Sequence, residues 1–151
     1  MEEYVIGIDI GGTLARAIVL ESTNFEIKDQ LTEESSDNGL ELVQIIKSLV
    51  RELENNTKQS FTSLGIGIAG LAHKSGIVRY SPNLPSLIEF PIADEIKKDL
   101  GIPVVVGNDA TVGTIAEWKI GAGKGSENFA LVTLGTGIGT GFVVNGNLLL
   151  G

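Results

Sequence analysis

The 151-residue chain has no cysteine, a single histidine and few aromatic residues, 5% in all. Without cysteine there can be no disulfide and no thiolate zinc site, and cysteine usage leaves the compartment undetermined. His73 has no second histidine or cysteine to complete a metal site and reads as a solvated loop residue. Basic residues are also scarce: 11 Lys and Arg against 19 Asp and Glu, a net charge of −8. Nucleic-acid backbones are held mainly by Lys and Arg, so a general nucleic-acid role is disfavoured. No apolar run approaches the ~20 residues of a membrane-spanning helix. The opening "MEEYVIGIDI" lacks the basic region and apolar core of a secretory signal. These absences leave the expectation of a cytoplasmic protein that engages neither nucleic acid nor membrane.

What is present suits a folded α/β chain. Hydrophobic residues make up 42% and glycine 20 positions, a balance of Ile/Val strands joined by tight turns. The length allows one domain with a sizeable core. Val5–Ile10, Ala15–Leu20 and Phe25–Leu31 read as three strands in meander order. Leu42, Ile45, Ile46, Leu49, Val50 and Leu53 then recur at helical spacing, with Asp37 or Asn38 available as the cap. "TSLGIGIAG" is a buried strand entering a glycine-rich loop, 77–80 suits a short strand, and the prolines of "SPNLPS" require a loop. Pro91 opens a helix that Gly101 closes. "IPVVVGND" is a further strand, followed by a helix from Asp109. Two last strands carry a hairpin signal at Asn145-Gly146. The expected order is a mixed βββαβαβα sheet flanked by helices, then a hairpin that repeats the opening plan.

Three motifs can carry chemistry. In "DIGGT", residues 9–13, glycines let backbone N–H groups approach an anion and Thr13 adds a hydroxyl. Asp9 can hold a water-coordinated Mg²⁺. An ordinary glycine hairpin, with Asp9 capping its own turn, is the competing reading. "LGTGIGTG", residues 134–141, places four glycines on alternate positions with Thr136 and Thr140. It suits phosphate oxygens, or equally a glycine-rich turn that bulges for packing. Two such turns, each between apolar strands, are hard to assign to chance; facing one another they would grip a nucleoside triphosphate. "VVVGNDAT", residues 104–111, delivers Asn108 and Asp109 to the carboxyl end of a strand, where α/β sheets place ligands. Asp109 can cap the next helix and, so fixed, accept a hydroxyl proton during phosphoryl transfer.

Two other matches fail. "GIGIAG", residues 65–70, fits a dinucleotide fingerprint literally, but "LAHKSGIVRY" has no helical apolar stripe. "GAGKGS", residues 121–126, has Gly125 after its lysine and Trp118 where a P-loop needs its leading glycine. Trp118 and Phe129 read as packing residues. Arg16 can form an ion pair or approach a phosphate, with the structural role favoured.

In this order, "DIGGT", "GIAG", "SPNLP", "GNDA" and "LGTGIGTG" resemble the N-terminal part of the ROK family. That family comprises bacterial glucokinases, other hexose and N-acetylhexosamine kinases, and sugar-responsive repressors. It belongs to the actin, hexokinase and heat-shock-chaperone ATPase superfamily. The resemblance covers residues 4–151. It implies a ribonuclease-H-like lobe over 4–120 and the first hairpin of a second lobe over 127–151. It also implies an ATP-dependent sugar kinase. Asp9 would lie near Mg²⁺; Gly11, Gly12, Thr13, Thr136 and Gly137 would lie on the phosphates. Gly70, Asn83 and Asn108 match sugar-contacting positions, and Asp109 matches the catalytic base. Family members continue into a Gly-Glu-Ile-Gly-His segment and a cysteine-rich zinc motif, neither present here, so the chain alone is expected to be inactive. A non-catalytic sugar- or nucleotide-binding module and the lobe of a sugar-sensing regulator are the alternatives. The regulators carry a helix-turn-helix before the first phosphate motif, which here begins near the fifth residue. Strands 128–133 and 141–150 should expose apolar edges and pair with another chain, giving a homo-oligomer.

Overall fold

The computed structural model describes residues 3–135 and 137–150. The opening strands are β1 (Tyr4–Ile10), β2 (Leu14–Glu21) and β3 (Ile27–Glu34). Helix α1 (Gly39–Thr57) and strand β4 (Phe61–Ile68) follow. A small ribbon of β5 (Leu71–Ala72) and β6 (Val78–Tyr80) leads through a loop to helix α2 (Ile92–Leu100). Strand β7 (Val104–Asn108) and helix α3 (Asp109–Ile120) come next. The chain ends with β8 (Phe129–Leu134), β9 (Ile138–Val144) and β10 (Asn147–Leu149). The expected order is present, with the β5–β6 ribbon set into it. Five strands form a sheet in the order β3-β2-β1-β4-β7, and the last three form another, β10-β9-β8. The larger sheet is mixed, because β1 pairs antiparallel with β2 and parallel with β4.

The chain divides into two compact units, Met1–Gly107 and Asn108–Gly151. In the first, strand alternation dictates the core. Ile6, Ile8 and Ile10 point to one face, and their register partners Ala15, Ala17, Val19, Leu64, Ile66 and Ile68 share it. The apolar stripe of α1 (Leu42, Val43, Ile46, Leu49, Val50, Leu53) is buried in the same cluster. Asn38 is the N-cap of α1, its Oδ1 accepting from the amides of Leu40 (3.0 Å) and Glu41 (3.1 Å). Helix α2 adds Ile92, Ala93 and Ile96 to the cluster and stops at Gly101, in the left-handed conformation. Pro91, expected as its first residue, is instead its N-cap, so the helix begins one residue later, at Ile92. Lys47 of α1 is buried and meets Asp99 of α2 at 2.5 Å.

In the second unit, α3 packs on β8 and β9 through small residues. A Cβ added to Gly139 would lie 2.9 Å from the Ala110 Cβ, and one added to Gly141 would lie 2.8 Å from the Thr114 Cβ. Two of the four alternating glycines in 134–141 therefore serve helix packing, not the turn. Gly135 and Gly137 do form the turn, where the Gly135 N–H donates to the Gly137 carbonyl (3.0 Å). The β9–β10 hairpin turns at Asn145 (φ 49°) and Gly146 (φ 69°), as the Asn-Gly signal predicts.

Candidate functional site

In the first unit, the expected residues gather at the carboxyl ends of β1 and β4. The parallel register sets Asp9 beside Gly67 and Ile10 beside Ile68, so the turn after β1 and the loop after β4 leave the sheet at the same end. The ladder of β1 and β2 closes where the Gly11 N–H donates to the Leu14 carbonyl (2.9 Å). Gly12 and Thr13 form an exposed tip beyond it. With its amide so engaged, Gly11 contributes bare backbone, while Gly12 and Thr13 lie at the tip where an anion can approach.

Asp9 occupies the outer face of β1, opposite Arg16 across the β1–β2 pair. Their side chains are 60% and 59% exposed and 3.9 Å apart. Exposure answers the cost that a buried carboxylate would carry, and the pairing is the ion pair that the sequence allowed for Arg16. Among the described residues, no group of three or more His, Cys, Asp and Glu side chains could cage a metal. An exposed carboxylate alone fits a divalent cation that arrives with its own phosphates and waters, the usual habit of Mg²⁺.

The loop after β6 is anchored from several sides. Ser81 Oγ donates to the Ala69 carbonyl (2.7 Å), and Leu84 and Leu87 are buried. Gly70, with φ at 156°, passes so close to the Tyr80 carbonyl and the Ser81 Cα that any side chain would collide with backbone. Asn83, exposed on this loop, meets the tip of the first glycine turn: a Cβ added to Gly12 would lie 3.0 Å from both the Asn83 Cβ and carbonyl oxygen. This junction went unforeseen in the sequence, where nothing local marks it. His73, elsewhere in the β5–β6 ribbon, is half-buried and its Nδ1 lies 2.7 Å from Ser75 Oγ.

In the second unit, Asn108 rather than Asp109 caps α3, its Oδ1 accepting from the Thr111 N–H (3.1 Å). Asp109 is thereby the first helical residue, and its carboxylate is oriented by two donors onto Oδ1. These are the Asn108 Nδ2 (3.0 Å) and the Ala110 N–H (2.9 Å). A helix N-terminus favours negative charge there. Gly137 is exposed at the β8–β9 turn, and Thr136 lies outside the described residues. Trp118 is half-buried, its indole N–H donating to the Ser126 carbonyl (2.8 Å). Phe129 packs its ring against the Gly123 backbone. Both are packing residues, as expected.

Comparison with known proteins agrees with this architecture. The glucokinase of Halalkalibacterium halodurans is 32% identical over 99% of this chain and 47% of its own length. The glucokinase of Thermotoga maritima is 36% identical over 97% of this chain and 46% of its own. A ROK family glucokinase from Streptomyces griseus, solved in complex with glucose and AMPPNP, superposes with a TM-score of 0.88 at 31% identity. It is matched over 98% of this chain and 46% of that one. The chain thus spans about half the length of the relatives it matches. The ribonuclease-H-like lobe expected from the sequence is the fold it shares with such sugar kinases. Residues 5–151 match the ROK family, and the chain belongs to it.

Proposed function

We propose that this chain serves an ATP-dependent hexose kinase of the glucokinase type, transferring the γ-phosphoryl of ATP to a sugar hydroxyl. The observation that carries the reading is the seating of Asn83 against Gly12, which joins a sugar-contacting position of the family to a phosphate-turn tip. Kinship with glucokinases, one of them solved with glucose and AMPPNP, supports the substrate pair.

On this reading Gly11, Gly12 and Thr13 face the phosphates from one turn, with Thr136 and Gly137 in the other. Asp9 would hold Mg²⁺ through water, and that ion, when bound, would supply positive charge beside the phosphates. Gly70, Asn83 and Asn108 contact the sugar. Asp109 takes the proton of the attacking hydroxyl. Its Oδ1 is committed to Asn108 and Ala110, whereas Oδ2 has no hydrogen bond among the described residues. An acidic protein binds a polyanion by such local amide dipoles and the cation, not by surface charge. An ATP substrate fits a cytoplasmic setting, and no described helix is long and apolar enough to cross a membrane. We also propose that the chain self-associates through its last three strands.

The test is ATP-dependent phosphorylation of glucose by the full-length protein and by its Asp109→Asn variant. Turnover should fall by about 10²- to 10⁴-fold, the usual worth of a general base, with glucose still bound. Undiminished turnover would remove Asp109 as the base. Saturable sugar binding without any transfer by the unaltered protein would mark a regulator or binding module instead.

A further inference from the structure

We propose that Asp37 is a positioning residue, clamping the 81–87 loop through Ser86 and so holding Asn83 against the tip of the first glycine turn. The inference rests on the reading of Asn83 as a sugar contact and extends it to a residue that touches no substrate. Both carboxylate oxygens of Asp37 are engaged by one serine: Oδ1 accepts from the Ser86 N–H and Oδ2 from the Ser86 Oγ, each at 2.9 Å. A paired, charge-assisted contact of this kind fixes direction as well as distance. Asp37 is not needed as the helix cap, because Asn38 performs that task.

The same short segment is tied to the glycine turn, since the Ser35 N–H donates to the Thr13 carbonyl (2.8 Å). Residues 12–13, 35–37 and 83–86 therefore close a ring of three contacts: Thr13 to Ser35, Asp37 to Ser86, and Asn83 to Gly12. Within that ring the loop bearing Asn83 cannot shift without breaking the Asp37 clamp or leaving the glycine tip. Sugar and phosphate contacts are thus held in one frame.

The experiment measures KM for glucose, KM for ATP and kcat in the full-length protein. The variants are Asp37→Ala, Asp37→Asn, Ser86→Ala and Asn83→Ala. Small displacements of a binding group are costly, so Asp37→Ala should raise the glucose KM by roughly tenfold, with kcat within about twofold of the parent. Asp37→Asn retains an acceptor for the Ser86 amide and a donor for its hydroxyl, and should restore the parental KM. Ser86→Ala keeps only the amide bond and should fall between the two, which preserves the test if Asp37→Ala does not fold. An unchanged glucose KM in Asn83→Ala would overturn the sugar reading itself. A raised KM in Asn83→Ala beside parental values in Asp37→Ala and Ser86→Ala would overturn the clamp alone.

Discussion

Ser35 has a buried hydroxyl without a hydrogen-bond partner among the described residues, although its amide is paired with Thr13. A buried hydroxyl left unmatched costs roughly 1–3 kcal/mol. Ser35→Ala should therefore match or exceed the parent in stability, by up to about 1 kcal/mol, read from urea midpoints. A clear loss would mean the hydroxyl has a partner in solution. The neighbouring pair shows the reach of single residues in a sequence. Asp37 and Asn38 are both good caps, so the pattern leaves the choice between them open. Ser86, 49 positions away, engages Asp37, while Asn38 caps α1. The contact of Asn83 with Gly12 is hidden for the same reason, because it joins two loops by tertiary folding.

At the scale of elements, α1 and α2 are linked by the buried Lys47 and the half-exposed Asp99. The hydrogen bond from Lys47, then its charge, holds the Asp99 carboxyl below its ordinary value. The native state therefore binds a proton at Asp99 less readily than the unfolded chain does. Its contribution is present above the unfolded carboxylate pKa and is lost as pH falls through the lowered one. Asp99→Asn should be less stable than the parent at neutral pH, and the two should converge in acid. Parallel urea midpoints across that range would refute the linkage. Helix α3 depends instead on absence of bulk. Gly141→Val would drive a side chain into Thr114 and should cost about 1–3 kcal/mol, the usual range for overpacking, as measured by thermal unfolding. A variant as stable as the parent would show that α3 can move off the strand. Helices and strands were legible because their apolar periods are strong, as in Ile6, Ile8 and Ile10. The split use of the glycines in 134–141 was not, since turn glycines and packing glycines look alike until a helix is laid across them.

For the molecule as a whole, the second unit leaves one sheet face bare. Gly139, Gly141 and Leu131 lie towards α3, and the register puts Val132, Leu134, Ile138, Phe142 and Leu149 on the other side. All five are exposed, Leu134 and Ile138 to 80% and 76%. Apolar faces of this kind mark association surfaces. Sedimentation velocity on this chain should show concentration-dependent association, reduced in a Val132→Lys, Phe142→Lys double variant. A monomer at every concentration, with β8–β10 ordered, would dismiss it. Family and lobe were readable because turn chemistry is local: Gly-Gly-Thr, Gly-Asn-Asp and Asn-Gly declare their geometry within a few residues. The clamp around Gly12 was not, because it exists only once three segments meet.

Two of the bonds that Asn108 makes have a joint effect that is kinetic as well as structural. The side chain that starts α3 at Thr111 also aims the Asp109 carboxylate. Unwinding the first turn of that helix therefore disorients the group proposed as base before any strand is lost. Heat inactivation of the full-length protein in the proposed kinase assay would then run ahead of global melting, with activity serving as a local thermometer for one helix end.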